Sequence, residues 1–257
     1  MPVLKIKEKP HGKKIAALND ERRSQMKVND RYCSFYYEDD YDYGKIEVDP
    51  KKTALLIIDA EYACVKPISS ENMTQEDLDH NARWADFYET YDKVTIPNLQ
   101  KLIALCRAHG MEVSYAKIQG HKADGSDRSL DQKVTGFNQF LVTAGDHRGE
   151  IIAEIAPQKD DIVVTKTTDS ALTGTNLRLI YHNMGIDTVI VTGTMTDQCV
   201  SCTVRDLADE SFKVWLPEDA CLAGTKRLHE HELEVLNNIY CHVVTTQELV
   251  DAVENPQ

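Results

Sequence analysis

Cys199 stands in VIVTGTMTDQCVSCTVRDLAD, where an apolar run enters Gly193, a short polar turn follows and a helical pattern begins. A cysteine in the first turn of a helix feels the positive end of the helix dipole, which favours the thiolate, and Asp197 is placed to cap that helix. The free N–H groups of the same turn are the raw material of an oxyanion hole. Asp59 ends the apolar run LLIID and Lys166 ends DIVVTK. A carboxylate or an ammonium after a buried run is costly unless it is paired. Each residue also has a plain reading, as a packed thiol, a helix cap or a strand-end charge. Taken together they explain one another's burial, and an acid, a cation and a thiol are what attack on an amide carbon requires.

The elements that must bring them together are visible as a rhythm. Short apolar runs at 54–58, 112–116, 162–165, 188–192, 213–216 and 242–244 alternate with helical patterns at 94–108, 175–184, 197–209 and 226–239. In the first of these helices Ile96, Leu99, Leu102, Ile103 and Cys106 make an apolar stripe, and Gly110 and Gly185 stand as stop signals. Strand and helix in alternation predict a doubly wound α/β fold, Rossmann-like, with six mostly parallel strands and helices on both faces. Ligands gather at the carboxyl ends of such strands. The strand ends then become a candidate list: Asp59; Gln119 and His121; Lys166; Thr194 to Cys199; Glu218 and Asp219.

Bulk properties narrow the function. The chain has 257 residues, 42% hydrophobic and 28% charged, with a formal net charge of −13. That charge argues against a nucleic-acid partner, and no apolar run suggests a signal peptide or a membrane span. Seven cysteines do not resemble a secreted disulfide framework, so the expected compartment is the cytoplasm. Residues 1–50 differ in texture and read as an arm, with an aromatic, acidic cluster at 31–44; residues 51–257 read as the domain. The arm either lies on the domain or reaches a neighbouring subunit of a homo-oligomer, a dimer or tetramer, near its active-site mouth.

Other chemistries are weaker. Cys199 and Cys202 have the spacing of a dithiol redox motif, but they lie after four predicted strands rather than after the first. The nine histidines are scattered, no glycine-rich dinucleotide or phosphate fingerprint occurs, and neither metal nor cofactor is expected. The turn DGSDRSLD reads as solvated, although its Arg128 is able to reach a carboxylate ligand.

Four stretches together resemble the isochorismatase-like cysteine hydrolases over roughly residues 51–250: ALLIIDAE, KTTDSALTGTNL, GTMTDQCV and RDLADESFKVWLPEDAC. The resemblance implies a six-stranded parallel sheet and hydrolysis of small amides or ureides. Cys199 would be the nucleophile, Asp59 the proton acceptor and donor, and Lys166 their electrostatic partner. It also implies a cis peptide bond between Thr194 and Met195, which would aim the N–H groups of Met195 and Cys199 at the oxyanion. There are departures. Nicotinamidases carry D-x-H…H after the second strand, where this chain has AKIQGHKADGSD with the single His121, and Glu61 replaces a common Gln. The nearest branch is therefore the ureide and carbamoyl one, with Gln119, His121 and Arg128 as substrate contacts. A nicotinamidase-like amidase is the alternative enzyme; a dithiol redox protein or a catalytically idle binding module is the alternative class.

Overall fold

Strand β1 (Thr53–Ile58) is buried along its whole length. A strand covered on both faces has no polar alternation, which is why it reads as a continuous apolar run. Leu55 and Ile57 face one core with Ile103, Tyr115 and Trp215, while Ala54, Leu56 and Ile58 face the other with Val164, Tyr181 and Val204. The computed structural model in which this is seen describes residues 32–38, 46–133 and 140–255.

Around β1 lie β2 (Glu112–Ile118), β3 (Ile162–Lys166), β4 (Thr188–Thr194), β5 (Lys213–Pro217), β6 (Cys221–Leu222) and β7 (His242–Val244). The order is β3-β2-β1-β4-β5-β7, with parallel pairing throughout, so the expected six-stranded doubly wound sheet is present. A seventh strand was not expected: β6 pairs with Gly193 and Thr194, beyond the point where β5 leaves β4. Two residues carry no periodicity to read.

The helices are α1 (Tyr62–Val65), α2 (Gln75–Arg83), α3 (Ala85–Thr90), α4 (Ile96–His109), α5 (Leu177–Met184), α6 (Ser201–Asp209), α7 (Lys226–Leu236) and α8 (Thr246–Glu254). One π-helical turn, Tyr91–Thr95, joins α3 to α4, and another, Thr196–Val200, leads into α6. Helix α7 ends earlier than its pattern suggests, because Asn237 turns extended. Its side chain donates to the Tyr32 carbonyl at 3.1 Å and accepts from the Val243 N–H at 2.9 Å. Parts of the arm thus rest on the domain: Tyr32 packs on one core, and Ile46 and Val48 on the other. Half of the 31–44 cluster, and with it the expected reach to a second subunit, lies outside the described residues.

The closest approach in the sheet is at Gly193, whose φ of +109° no L side chain favours and where an added Cβ would sit 2.0 Å from the Ile58 carbonyl oxygen. Gly193→Ala should therefore destabilise the protein by at least about 2–3 kcal/mol, a backbone strain compounded by a clash. Urea unfolding checks this, and a loss below about 1 kcal/mol would show that the two strands can part at no great cost.

Candidate active site

Asp59 leaves β1 with φ +49°, in the left-handed region that Asp tolerates better than most residues. Its N–H donates to the Ala116 carbonyl at 2.9 Å and its own carbonyl accepts the Thr194 hydroxyl at 3.0 Å, so both neighbouring strands hold it. Lys166 ends β3 fully buried. Its Nζ donates to Asp59 Oδ2 at 2.8 Å, to the Thr168 carbonyl at 3.2 Å and to Cys199 Sγ at 3.3 Å, which uses all three ammonium protons. Cys199 lies in the π turn after β4, and the Thr194–Met195 peptide bond ahead of it is cis. Thr196 of that turn bonds His229 Nδ1 of α7 at 2.8 Å, and burial lowers the imidazole pKa to about 4. His229 is thus a neutral strut for the turn.

The electrostatics depart from the sequence reading. Burial pushes the Cys199 thiol well above its ordinary value, Asp59 pushes the same way and Lys166 pulls back only in part. The resting group is a neutral thiol, not the dipole-stabilised thiolate expected from its helix-start position. Burial likewise lifts Asp59, with Lys166 opposing. For Lys166, burial works against the charge, but Asp59 and Cys199 outweigh it and the net displacement is upward. Asp59 Oδ1 is buried and makes no hydrogen bond with the described residues, which leaves it free to take a proton.

These groups open into a cavity of about 390 Å³ lined by Asp59, Cys199, Met195 and Thr194, by Trp84, Tyr88 and Phe140, and by Gln132 and Asp169. A larger cavity, about 450 Å³, is lined by Arg83, Glu218, Asp219 and His229, and neither Asp59, Lys166 nor Cys199 borders it. Asp219 is committed there to capping α8, accepting from the N–H and hydroxyl of Thr246.

Other expected contacts fall elsewhere. Gln119 is turned from the cavity, its amide donating to the Thr143 carbonyl at 2.9 Å. His121 is exposed, and its N–H donates to Asp127. Arg128 is 2% exposed and spends its donors on the Thr167 and Phe140 carbonyls and on Gln132, so it does not reach a ligand carboxylate. Asp197 caps nothing: Met195 holds the N-cap position, and Asp197 Oδ1 is buried without a partner among the described residues. Cys202 does not line the cavity. Among the described residues no group of three or more His, Cys, Asp or Glu is placed to hold a metal ion.

The sequence reading missed Gln132 and Asp169. Gln132 donates to Asp169 Oδ1, which in turn lies 3.5 Å from Cys199 Sγ. The only signal was an acid three places after Lys166, in a polar stretch that looks like loop. Glu61 was noticed as a departure but its state was not foreseen. It is 1% exposed, and neither carboxyl oxygen makes a hydrogen bond with the described residues. Burial and then the Asp59 charge push it well above its ordinary value, against a weaker pull from Lys166. Both influences favour its protonated form.

The isochorismatase domain, as a family, matches residues 53–248. An N-carbamoylsarcosine amidase from Arthrobacter sp. is 28% identical over 161 residues, 62% of this chain and 61% of that protein, so the match spans less than two thirds of that relative. The ureidoacrylate amidohydrolase RutB of Acinetobacter baylyi is 26% identical over 82% of this chain and 88% of its own. The crystal structure of a cysteine hydrolase from Pseudomonas syringae pv. phaseolicola shares the fold, with a TM-score of 0.68 at 24% identity over 82% of this chain and 96% of that one.

The upward displacement of Glu61 has a measurable consequence. A carboxyl raised on folding keeps a proton that the unfolded chain sheds above its ordinary value of 4.5. Its contribution is intact below that value and is lost as pH rises toward the folded one. Gln keeps the shape and cannot ionise, so Glu61→Gln should gain on the wild type as pH rises from about 5 to about 8, by about 1.4 kcal/mol per unit over which the proton is held. Urea melts of both proteins across that range measure the gap; a gap that stays constant would mean that Glu61 is ionised in the fold.

Proposed function

The chain belongs to the isochorismatase family, and on that basis we propose that it is a cysteine amidohydrolase cleaving the C–N bond of a small amide, ureide or N-carbamoyl compound. The observation that carries the reading is the buried Lys166 ammonium shared between Asp59 Oδ2 at 2.8 Å and Cys199 Sγ at 3.3 Å. A carboxyl lifted by burial is a stronger base than an ordinary one, and a neutral thiol needs such a base to become a nucleophile.

In this reading Asp59 takes the thiol proton as Cys199 Sγ bonds to the carbonyl carbon, and Lys166 balances the charge left on the pair. Backbone N–H groups of Met195 and Cys199 receive the oxyanion. The tetrahedral species collapses with cleavage of the C–N bond, Asp59 returning its proton to the departing nitrogen. Water then adds to the thioester, its proton passing to Asp59, and the thiol is regenerated as the acid leaves. The activities of the two relatives, an amidase and an amidohydrolase, support hydrolysis at this bond.

A nicotinamidase-like reading has less support. His121 is exposed, and the Asp127 carboxylate already accepts the N–H groups of His121 and Lys122, which leaves that stretch without a ready set of metal donors. Chelators should accordingly leave turnover unchanged.

An ammonia-release screen over small amides and ureides tests the function, with Cys199→Ala as its control. That variant should fold normally and lose on the order of 10³-fold or more in kcat, since only positioning and the oxyanion donors remain. Retention of a tenth of the wild-type rate on the best substrate would remove Cys199 from the nucleophile role, and turnover restored by added metal would overturn the metal-free assignment.

A further inference from the structure

The cavity's charges carry an argument about what it accepts. Every proton of the Lys166 ammonium is already donated, one of them to Asp59. Arg128 lies behind the wall, its hydrogen bonds going to two backbone carbonyls and to Gln132 Oε1. With that oxygen held, the Gln132 amide nitrogen turns to Asp169 Oδ1. Asp169 borders the cavity, its Oδ1 3.5 Å from the nucleophile, while its Oδ2 accepts no hydrogen bond from the described residues. Among the described residues lining the cavity there is no Lys or Arg; the rings of Trp84, Tyr88 and Phe140 are there, with His80 stacked on Trp84. Trp84 is braced edge-on against Phe87, with ring centres 5.3 Å apart.

We propose that Asp169 is the specificity-determining residue, and that the substrate is an N–H-rich amide, cationic by preference, rather than one bearing a carboxylate. The Asp169 oxygen that accepts no hydrogen bond from the described residues takes a substrate N–H or ammonium, and the aromatic rings attract the same positive end. A carboxylate in that position would meet the Asp169 charge with no Lys or Arg among the described lining residues to offset it. Arg128 offsets part of the Asp169 field but cannot turn to a ligand without breaking its three contacts. The proposal rests on the amidohydrolase reading for the word substrate; the charge selectivity of the cavity does not.

Two measurements separate the questions. Methanethiosulfonate reagents carrying a trimethylammonium or a sulfonate group share one reactive centre, and their rates at Cys199 are read by peptide mass mapping against glutathione as the free-thiol reference. The cationic reagent should be favoured by at least about tenfold, and Asp169→Asn, which keeps the shape and the Gln132 contact, should cut that ratio by about tenfold. Equal rates, a preference for the anionic reagent, or a ratio untouched by Asp169→Asn would overturn the proposal, and the first two need no variant to fold. The second measurement compares ureides of equal length ending in an ammonium or a carboxylate. The ammonium compound should have the higher kcat/KM through a lower KM, with the difference shrinking in Asp169→Asn. Turnover that favours the carboxylate sinks the Asp169 assignment and leaves the hydrolase standing. A cationic preference in labelling without turnover of any amide does the reverse.

Discussion

The structure is organised around one buried ammonium. Lys166 is fully excluded from solvent, and an uncompensated charge there would cost several kcal/mol. Its compensation comes from two other strand ends. In the sheet order β3-β2-β1-β4, Lys166 on β3 reaches across β2 to Asp59 on β1, and the turn after β4 brings Cys199 to the same nitrogen. The chain moves outward from β1 in one direction through β2 and β3 and in the other through β4 and β5. The crevice at that reversal is where an α/β sheet accommodates a ligand, and the three groups meet there.

Holding one cation among several acids sets the protonation state of everything near it. Asp59, Glu61 and Asp169 all act on Lys166 or Cys199, and there is one ammonium to share. Burial and these neighbours therefore favour the neutral thiol and a protonated Glu61, although a helix-start cysteine in isolation would lean toward thiolate. Burial is the largest influence on Asp59, on Glu61 and on the thiol, and neighbouring charge comes next.

What could be read in the sequence follows the same order. Burial at strand ends is a strong constraint, so Asp59, Lys166 and the turn to Cys199 stood out in LLIID, DIVVTK and VIVTGTMTDQC. The six-strand path followed from apolar runs closed off by helices. Side chains in connecting segments obey no such pattern. Gln119 sits at a strand end yet turns to the Thr143 carbonyl, and Arg128 is consumed by local carbonyls. Asp169 and Gln132, in unpatterned stretches, reach the cavity instead. Of the aromatic wall, Trp84 stands at the junction of α2 and α3, Tyr88 lies on α3 and Phe140 in a connecting segment; Trp84 and Tyr88 are only half-buried and follow no apolar stripe. Strand-end chemistry was legible because packing dictates it; cavity lining was not, because loops place it.

The backbone at Asp59 adds a constraint of its own. A left-handed φ admits Asn, Asp and Gly far more readily than Glu or any branched side chain. The residue at this position is thus constrained twice, by the conformation of the chain and, in the proposed mechanism, by the need for an acid. Glu, which satisfies the second constraint, fails the first, and Asn, which satisfies the first, fails the second. Under the proposed mechanism a substitution here is therefore expected to trade one requirement against the other, keeping the backbone conformation at the cost of the base or the acid at the cost of backbone strain.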